Sequence, residues 1–465
     1  MTASFPTAPF LSDADVDRLR ARMAGLMPAV RADLADLVRI PSVSAGAYDQ
    51  RHVADSARAV ADLVRAAGVP QVDVLTATAA GDGGAPAVVG HRPGRPGAPR
   101  VLLYAHHDVQ PPGEDEAWTT PPFEPTERAG RLYGRGAADD KAGLMTHVAA
   151  LRCLGEELAA AVTLFVEGEE EIGSPTFSAF LAEHRDRLAA DVIVVADSAN
   201  WRVGRPALTT SLRGLIDGTI EVRTLDHGVH SGLFGGAVPD AMSAMIRLLD
   251  TLWDDGGDLA VADLVRAGAA DLDYSEADLR ADAGMLDGVQ LVGTGRITSR
   301  LWTRPSLTIT GIDAPSVATA SNTLLAGVRV KFTLRVAPGQ DPHAAFRALR
   351  DHLTDRAPWG AHVEVRLNEA GHPFAGDVDG PVYDLARWAM ERSWGVPPVH
   401  MGMGGSIPFI ADLATVYPAA TVLVTGVEDP DSRAHGPDES LHLAEFERCC
   451  LAETLLLAAL GGAPS

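Results

Sequence analysis

Up to Pro206 the chain alternates between segments with apolar residues at helical spacing and short runs that are apolar at nearly every position. Ser12 reads as the N-cap of a helix carrying Val16, Leu19, Met23, Leu26 and Val30, with Asp13 and Asp15 in its first turn. A second helical pattern, Leu34, Leu37 and Val38, stops at Ile40-Pro41-Ser42, and a third spans 53–67 before Gly68. Strand-like runs at 72–75 and 87–89 follow, the second after a Gly-rich turn at 81–84. Further strand-like runs at 101–104, 162–166 and 192–196 are separated by helices over 141–158 and 175–188. Strands alternating with helices predict a mostly parallel sheet with crossover helices on its faces.

After Pro206 the rhythm changes. Strands are expected at 211–222, 308–311, 322–336 (Phe332, Leu334 and Val336 alternating) and 361–367, with helices at 241–252 and 342–357. The polar, Gly/Asp-rich stretch 254–300 decorates this part, and from Pro373 onward the helix–strand–helix pattern returns. The reading is an α/β protein: a discontinuous domain of residues 1–206 and 372–465, built on a mostly parallel sheet flanked by helices, with a smaller α+β domain inserted at 207–371.

Composition narrows the function classes. With 465 residues, 46% hydrophobic and 22% charged, the chain is globular and long enough for two or three folding units. Its formal charge of −23, from 39 basic and 62 acidic residues, and the lack of a basic arm argue against a nucleic-acid or anionic-membrane partner. Cys153, Cys449 and Cys450 form no Cys-x-x-Cys spacing, which suggests reduced thiols rather than disulfides or a thiolate cage. Residues 1–11 do not read as a secretory signal, and no run approaches the roughly 18 apolar residues of a membrane span. The expected compartment is the cytoplasm.

Chemistry gathers where apolar runs end. The run 101–104 opens into Ala105-His106-His107-Asp108, 162–166 into Glu167-Gly168-Glu169-Glu170-Glu171, and 192–196 into Asp197, while 421–425 leads through a loop to His435. Asp139-Asp140-Lys141 sits between the first two in a Gly-rich loop entering a helix. Open parallel sheets place ligands at the carboxyl ends of their strands, so these groups can meet in one crevice. Histidines converging with carboxylates are what a hydrolytic metal centre needs. Singly each has a plainer reading: a structural His-x-Asp, a helix-start Asp, a solvated acidic turn, a capping Asp, a surface histidine. Alternation along a strand turns His106 and Asp108 to one side and His107 to the other. Adjacent carboxylates such as Glu169-Glu170-Glu171 repel one another unless a cation compensates.

Taken together, the order His-x-Asp, Asp-Asp-Lys, Glu-Glu, Asp and His resembles that of the co-catalytic zinc aminoacylase, glutamate carboxypeptidase and carnosinase superfamily. The likeness runs from Leu37-Val38-Arg39-Ile40-Pro41-Ser42 to His435-Gly436-Pro437. Tyr104-Ala105-His106-His107-Asp108-Val109-Gln110-Pro111, Gly134-Arg135-Gly136, Arg304-Pro305-Ser306-Leu307 and Gly404-Gly405-Ser406-Ile407-Pro408 point within it to the carnosinase-like dipeptidase branch. The resemblance implies two divalent ions, zinc before manganese or cobalt, one held by His106 and Asp197 and the other by Glu171 and His435, with Asp139 between them. It implies Glu170 as general base, Asp108 as the group orienting His106, and a cis peptide between Asp139 and Asp140. The inserted domain then acts as lid and dimerisation domain. His230, in His227-Gly228-Val229-His230-Ser231-Gly232, would polarise the scissile carbonyl. Arg335 would bind the substrate carboxylate, and Asn322, Gly404, Gly405 and Ser406 would complete the substrate site. The implied activity is hydrolysis of the amide bond of a dipeptide or small peptide with a free C-terminus, by a homodimer. Deacylation of an N-acyl amino acid is the alternative, and a silent metal-stabilised binding protein the remote one.

Four positions depart from the family pattern. Met403 stands where an acidic residue usually precedes Gly-Gly-Ser-Ile-Pro, and Gly402 where a basic one does. Leu325 replaces a common Pro, and His107 a usual Tyr. None is an expected metal ligand, so the departures bear on substrate recognition rather than on hydrolysis.

Overall fold

In the computed structural model, residues 10–78, 84–268, 272–405 and 408–461 are described, and the Gly-rich turn expected at 81–84 lies outside them but for Gly84. The chain divides into two compact units: Met1–Thr210 with Gly376–Met401 and Asp412–Ser465, and Ser211–Ala375 with Gly402–Ala411.

The first unit is built on strands β1 (Gln71–Leu75), β2 (Ala87–Arg92), β3 (Arg100–His106), β4 (Ala161–Glu167), β5 (Val192–Val195), β6 (Ala207–Leu212) and β7 (Thr421–Val424), in the spatial order β1-β2-β4-β3-β5-β7-β6. The middle of the sheet, β4-β3-β5-β7, is parallel; β2 and β6 join it antiparallel, and β1 pairs antiparallel with β2. Strands in that parallel block are buried on both faces, which is why their sequences read as unbroken apolar runs.

Helix Lys141–Leu154 lies at the heart of this unit, buried at every residue except Arg152. Helices Asp13–Val38, Pro381–Trp394 and Leu443–Leu460 share one apolar cluster with it. The two helical patterns expected between Ser12 and Ile40 are one helix: Val16, Leu19, Met23, Met27, Val30, Leu34 and Leu37 form a single buried stripe. It passes through exposed Pro28, and Ser12 caps it by accepting from the Asp15 N–H. The helices expected at 141–158 and 175–188 are shorter, and the second divides into Phe177–Glu183 and Arg185–Leu188.

In the second unit, strands Ser306–Asp313, Gly327–Val336, Gly214–Arg223 and His362–Gly371 form an antiparallel sheet in that order. Along Gly214–Arg223 buried and half-buried residues alternate, the period of a sheet with one covered face. Helices Ala241–Asp250 and Pro342–Asp355 contribute Ala244, Met245, Leu248, Ala345, Leu349 and Leu353 to the core beneath it. The strand expected at 322–336 is broken, because Leu325 O accepts from Ala241 N–H and Ala326 O from Thr224 N–H instead of pairing in a ladder. The strand expected at 211–222 is likewise interrupted, at Arg213.

The turn Gly402–Gly405, expected with the sheet domain, falls in the second unit. Arg213 accounts for this: its N–H donates to Met403 O at 3.3 Å and its Nε to Gly404 O at 3.2 Å.

Candidate metal centre

Parallel register brings the ligand-bearing strand ends level. His106 lies opposite Glu167 across β3 and β4, and Tyr104 of β3 falls level with Val195 and Val424, the last residues of β5 and β7. Asp197 follows β5 directly. The Asp139–Asp140 peptide is cis, as the resemblance implied. Asp140 Oδ2 accepts the His106 N–H at 3.2 Å. Helix Lys141–Leu154 can come this close only because residue 143 is glycine: a Cβ there would fall on Asp140 Oδ1 and lie 2.5 Å from Ala196 O.

The central observation is the placement of Asp139. One carboxylate oxygen lies 3.0 Å from His106 Nε2 and the other 2.9 Å from His435 Nε2. Glu171 Oε2 is 3.3 Å from the same His435 nitrogen. Potential ligand atoms of His106, Asp139 and Glu171 lie within 4.8 Å of one another, and so do those of His106, Glu170 and Asp197. The side chains expected to bind metal are therefore brought together, with Glu170 on the His106–Asp197 side. His435, with φ +63°, sits exposed at the rim.

Neighbouring groups hold these side chains in place. His106 Nδ1 is 3.0 Å from Asp108 O and 3.4 Å from Asp108 Oδ1. The Asp108 carboxylate also accepts the backbone N–H groups of Glu170 (3.2 Å) and Glu171 (3.0 Å), so one acid positions both the histidine and the paired glutamates. His107 faces away, and Nε2 donates to Pro86 O. Glu169 is spent on loop structure, accepting from Thr176 and from the Ala85 N–H.

The charges do not balance within the protein. Burial raises the Asp197 carboxyl to about 7, with Asp139 and Glu171 adding to the effect. Burial and then Asp197 push Glu170 and Asp140 well above the carboxylate range, and burial with Asp139 raises Glu171. Contacts with Asp139 and Glu171 lift His435 to about 11. Burial opposes a charged His106, but Asp108 and Asp139 outweigh it and hold its pKa well above the usual value. So dense a set of buried oxygens and imidazole nitrogens suits divalent cations, which would remove the mutual repulsion and take up the donors.

Three supports were not singled out from the sequence. Glu439 is buried; its carboxylate accepts from Arg135 Nη1 (2.6 Å) and from the N–H groups of Gly136, Ala138 and Asp139 at 2.9–3.1 Å. It thus cradles the loop that presents Asp139. The Lys141 ammonium, brought down to about 7 by burial against the pull of Glu439 and Asp108, donates to Leu37 O and Ile40 O. Gln110 binds Glu171 through its backbone N–H and its side-chain amide. Glu439 in a Gly/Pro loop looks solvated in sequence, and its neighbours in the chain carry no sign of its burial.

In the second unit His230 and Asn322 are neighbours: His230 pairs with Thr323, and Asn322 O accepts the Ser231 N–H. His230 Nδ1 accepts from Gly232 N–H, while His227 meets Asp226. Arg335 lies half-buried opposite Leu215 and Ser306, within electrostatic reach of Arg213. Gly405 is described; Ser406 lies outside the described residues. The departure at Gly402 has a steric cause, since a Cβ there would sit 2.5 Å from the Trp302 Cβ.

Comparison with known proteins gives a consistent result. The sequence pattern of peptidase family M20/M25/M40 matches residues 102–459. A cysteinylglycine-S-conjugate dipeptidase of Corynebacterium striatum is 37% identical over 371 residues, 78% of this chain and 82% of that protein. The human beta-Ala-His dipeptidase is 28% identical over 365 residues, covering 74% of this chain and 71% of that protein. In fold, the chain is similar to the dipeptidase Dug1p of Saccharomyces cerevisiae (TM-score 0.78, 22% identity, 97% and 99% coverage) and to human carnosine dipeptidase 1 (TM-score 0.75, 22% identity, 96% and 98% coverage).

Proposed function

Because this chain belongs to peptidase family M20/M25/M40, we propose that it is a dimetal dipeptidase, cleaving the amide bond of dipeptides or small peptides with a free C-terminal carboxylate. The observation that carries this reading is Asp139, whose two oxygens face His106 and His435 separately, so that it would serve both ions of a pair. His106 and Asp197 would hold one ion, Glu171 and His435 the other. Bound there, two divalent cations would supply Lewis acidity and bring a water's pKa down to roughly 7.

The protein's own residues do the rest. Glu170, placed beside His106 and Asp197, takes the proton of the attacking water as a carboxylate and passes it to the leaving amine. Asp108 keeps His106 in one orientation and ties down the backbone of Glu170 and Glu171. His230 stabilises charge on the carbonyl oxygen, Arg335 pairs with the C-terminal carboxylate, and Asn322, Gly405 and Ser406 complete the substrate contacts. Zinc is the proposed metal, with manganese or cobalt as substitutes for an oxygen and imidazole donor set. A homodimer formed through the second unit is part of the proposal.

A cytoplasmic setting is supported by three free, buried cysteines. Among the described residues, no helix is long and apolar enough to cross a membrane. The deacylase alternative is not favoured, since the named relatives are dipeptidases. An assay of metal-reconstituted protein on matched dipeptides and N-acyl amino acids tests the proposal. Turnover of the dipeptides is expected; turnover confined to the N-acyl series would refute it.

A further inference from the structure

His147 is a buried histidine to which the roles above give no part. It lies near the middle of helix Lys141–Leu154, and both of its ring nitrogens are engaged. Nδ1 is 2.7 Å from Glu453 Oε1, on the buried face of helix Leu443–Leu460, and Nε2 is 2.9 Å from Tyr104 O of β3. A carboxylate oxygen and a peptide carbonyl only accept, so both nitrogens donate and the ring is an imidazolium. Burial opposes that charge, but Glu453 and the Tyr104 carbonyl outweigh it and raise the pKa of His147.

The Tyr104 carbonyl serves two donors. It also accepts the Ala196 N–H at 3.1 Å, a bond that joins the ends of β3 and β5. His106 stands two residues beyond Tyr104 and Asp197 one beyond Ala196, and these are the two side chains proposed to share an ion. The helix meets both strand ends along one face, at Asp140, Gly143 and His147, spaced i, i+3 and i+7. Asp140 accepts the His106 N–H, Gly143 lies against Ala196 O, and His147 donates to Tyr104 O. Side-chain packing supports β5 less completely here, because a cavity lined in part by Val194, Ala196, Thr425, Gly426 and Glu453 adjoins its end. Hydrogen bonds from the helix therefore fix where Asp197 stands relative to His106. Glu171 is held differently, by Gln110 and by Asp108.

We infer that His147, anchored by Glu453, is a positioning residue of the metal centre: its bond to Tyr104 O sets the spacing of His106 and Asp197, and with it the affinity for the ion these two would hold. The inference rests on the dimetal reading and deepens it.

Two amides separate the halves of the pair. In His147→Asn the side-chain NH₂ replaces Nδ1–H, keeping Glu453 and losing Tyr104 O. In His147→Gln it replaces Nε2–H, keeping Tyr104 O and losing Glu453. The assay is zinc competition against a chromophoric chelator on the metal-free full chain, with urea unfolding of the same samples as the measure of stability. Wild type should take up two ions per chain. His147→Asn should weaken one ion by about tenfold or more and leave the other within about threefold, whereas His147→Gln should leave both within about threefold, although each variant loses stability. Equal effects of the two variants, zinc loss that merely follows stability, weakening of both ions alike, or no weakening in His147→Asn overturns the assignment. Should His147→Asn fail to fold, wild type carrying isotope-labelled histidine decides by NMR. The ring N–H signal that disappears in His147→Gln should shift with one zinc equivalent only, and a signal unmoved by zinc, or moved equally by both equivalents, overturns the assignment. A wild type that takes up fewer than two ions removes the dimetal reading and this inference with it, an outcome distinct from the others.

Discussion

Glu439 offers the sharpest check on how the Asp139 loop is held. Glu439→Ala removes the partner of buried Arg135 and the acceptor for three backbone N–H groups, those of Gly136, Ala138 and Asp139. Breaking a buried ion pair from one side costs about 3–5 kcal/mol. Each orphaned buried N–H adds about 1–3 kcal/mol if nothing replaces its acceptor. These terms share one carboxylate and do not add, and water entering the alanine cavity would satisfy some of the donors. A net loss of roughly 4–6 kcal/mol is therefore expected, against a typical total of about 5–15 kcal/mol. Glu439→Gln separates charge from volume. Its amide oxygen can serve Ala138 and Asp139, but its NH₂ then faces Gly136 N–H and Arg135 Nη1, donor against donor, for a loss of about 2–4 kcal/mol. Urea unfolding followed by tryptophan fluorescence is the assay. Trp118 is a local reporter, since the Arg135 guanidinium lies 5.4 Å from its ring. Metal content should fall with stability, because Asp139 loses its cradle. A Glu439→Gln protein within about 1 kcal/mol of wild type, with full metal content, would refute the argument.

Three further outcomes follow from other parts of the site. Glu170→Gln should keep its metal and its KM while kcat drops about 10²–10⁴-fold, the usual contribution of a general base; retained turnover removes Glu170 from that role. Gly143→Ala should cost about 1–3 kcal/mol by overpacking and should weaken metal binding in a chelator competition, because Asp140 and the chain before Asp197 must both shift; unchanged metal affinity would contradict it. Glu167, buried at the end of β4 with Tyr104 Oη donating to it, is pushed up to about 8 by burial. The folded protein thus keeps a proton that the unfolded chain releases near 4.5, and this carboxyl lowers stability progressively as pH rises from about 4.5 to about 8. Glu167→Gln should flatten that slope in thermal melts across the same window, and an unaltered slope would rule out Glu167 as its source.

Much of the site was legible because the sequence writes it locally. A strand buried on both faces is an unbroken apolar run, and its first polar residues fall at its carboxyl end, so β3, β4 and β5 disclosed His106, Glu170 with Glu171, and Asp197 together. What escaped were partnerships between distant residues whose local context is misleading. Glu439 follows a Gly-Pro turn that looks solvated, yet it meets Arg135 about three hundred positions earlier. Lys141 stands in the sequence only as the neighbour of the paired acids, and its ammonium is buried against the end of the first helix. That first helix looked like two because the pattern was followed through Leu26. Met27 is the residue that carries the stripe across to Val30 and Leu34. The transfer of Gly402–Gly405 to the second unit depended on Arg213, a single side chain whose reach no periodicity records.

Lys141 also bears on where this protein can be cut. Its ammonium ends on Leu37 O and Ile40 O, the former a carbonyl in the last turn of helix Asp13–Val38, where backbone acceptors are left over and a positive charge is welcome. A shortened version beginning after Ile40 would look reasonable on paper, since every proposed metal ligand and the whole sheet lie downstream. It would strip both acceptors from a fully enclosed cation one residue from Asp140. The opening helix thus supports the Asp139–Lys141 loop from a distance, and a fragment that keeps this support has to begin ahead of it.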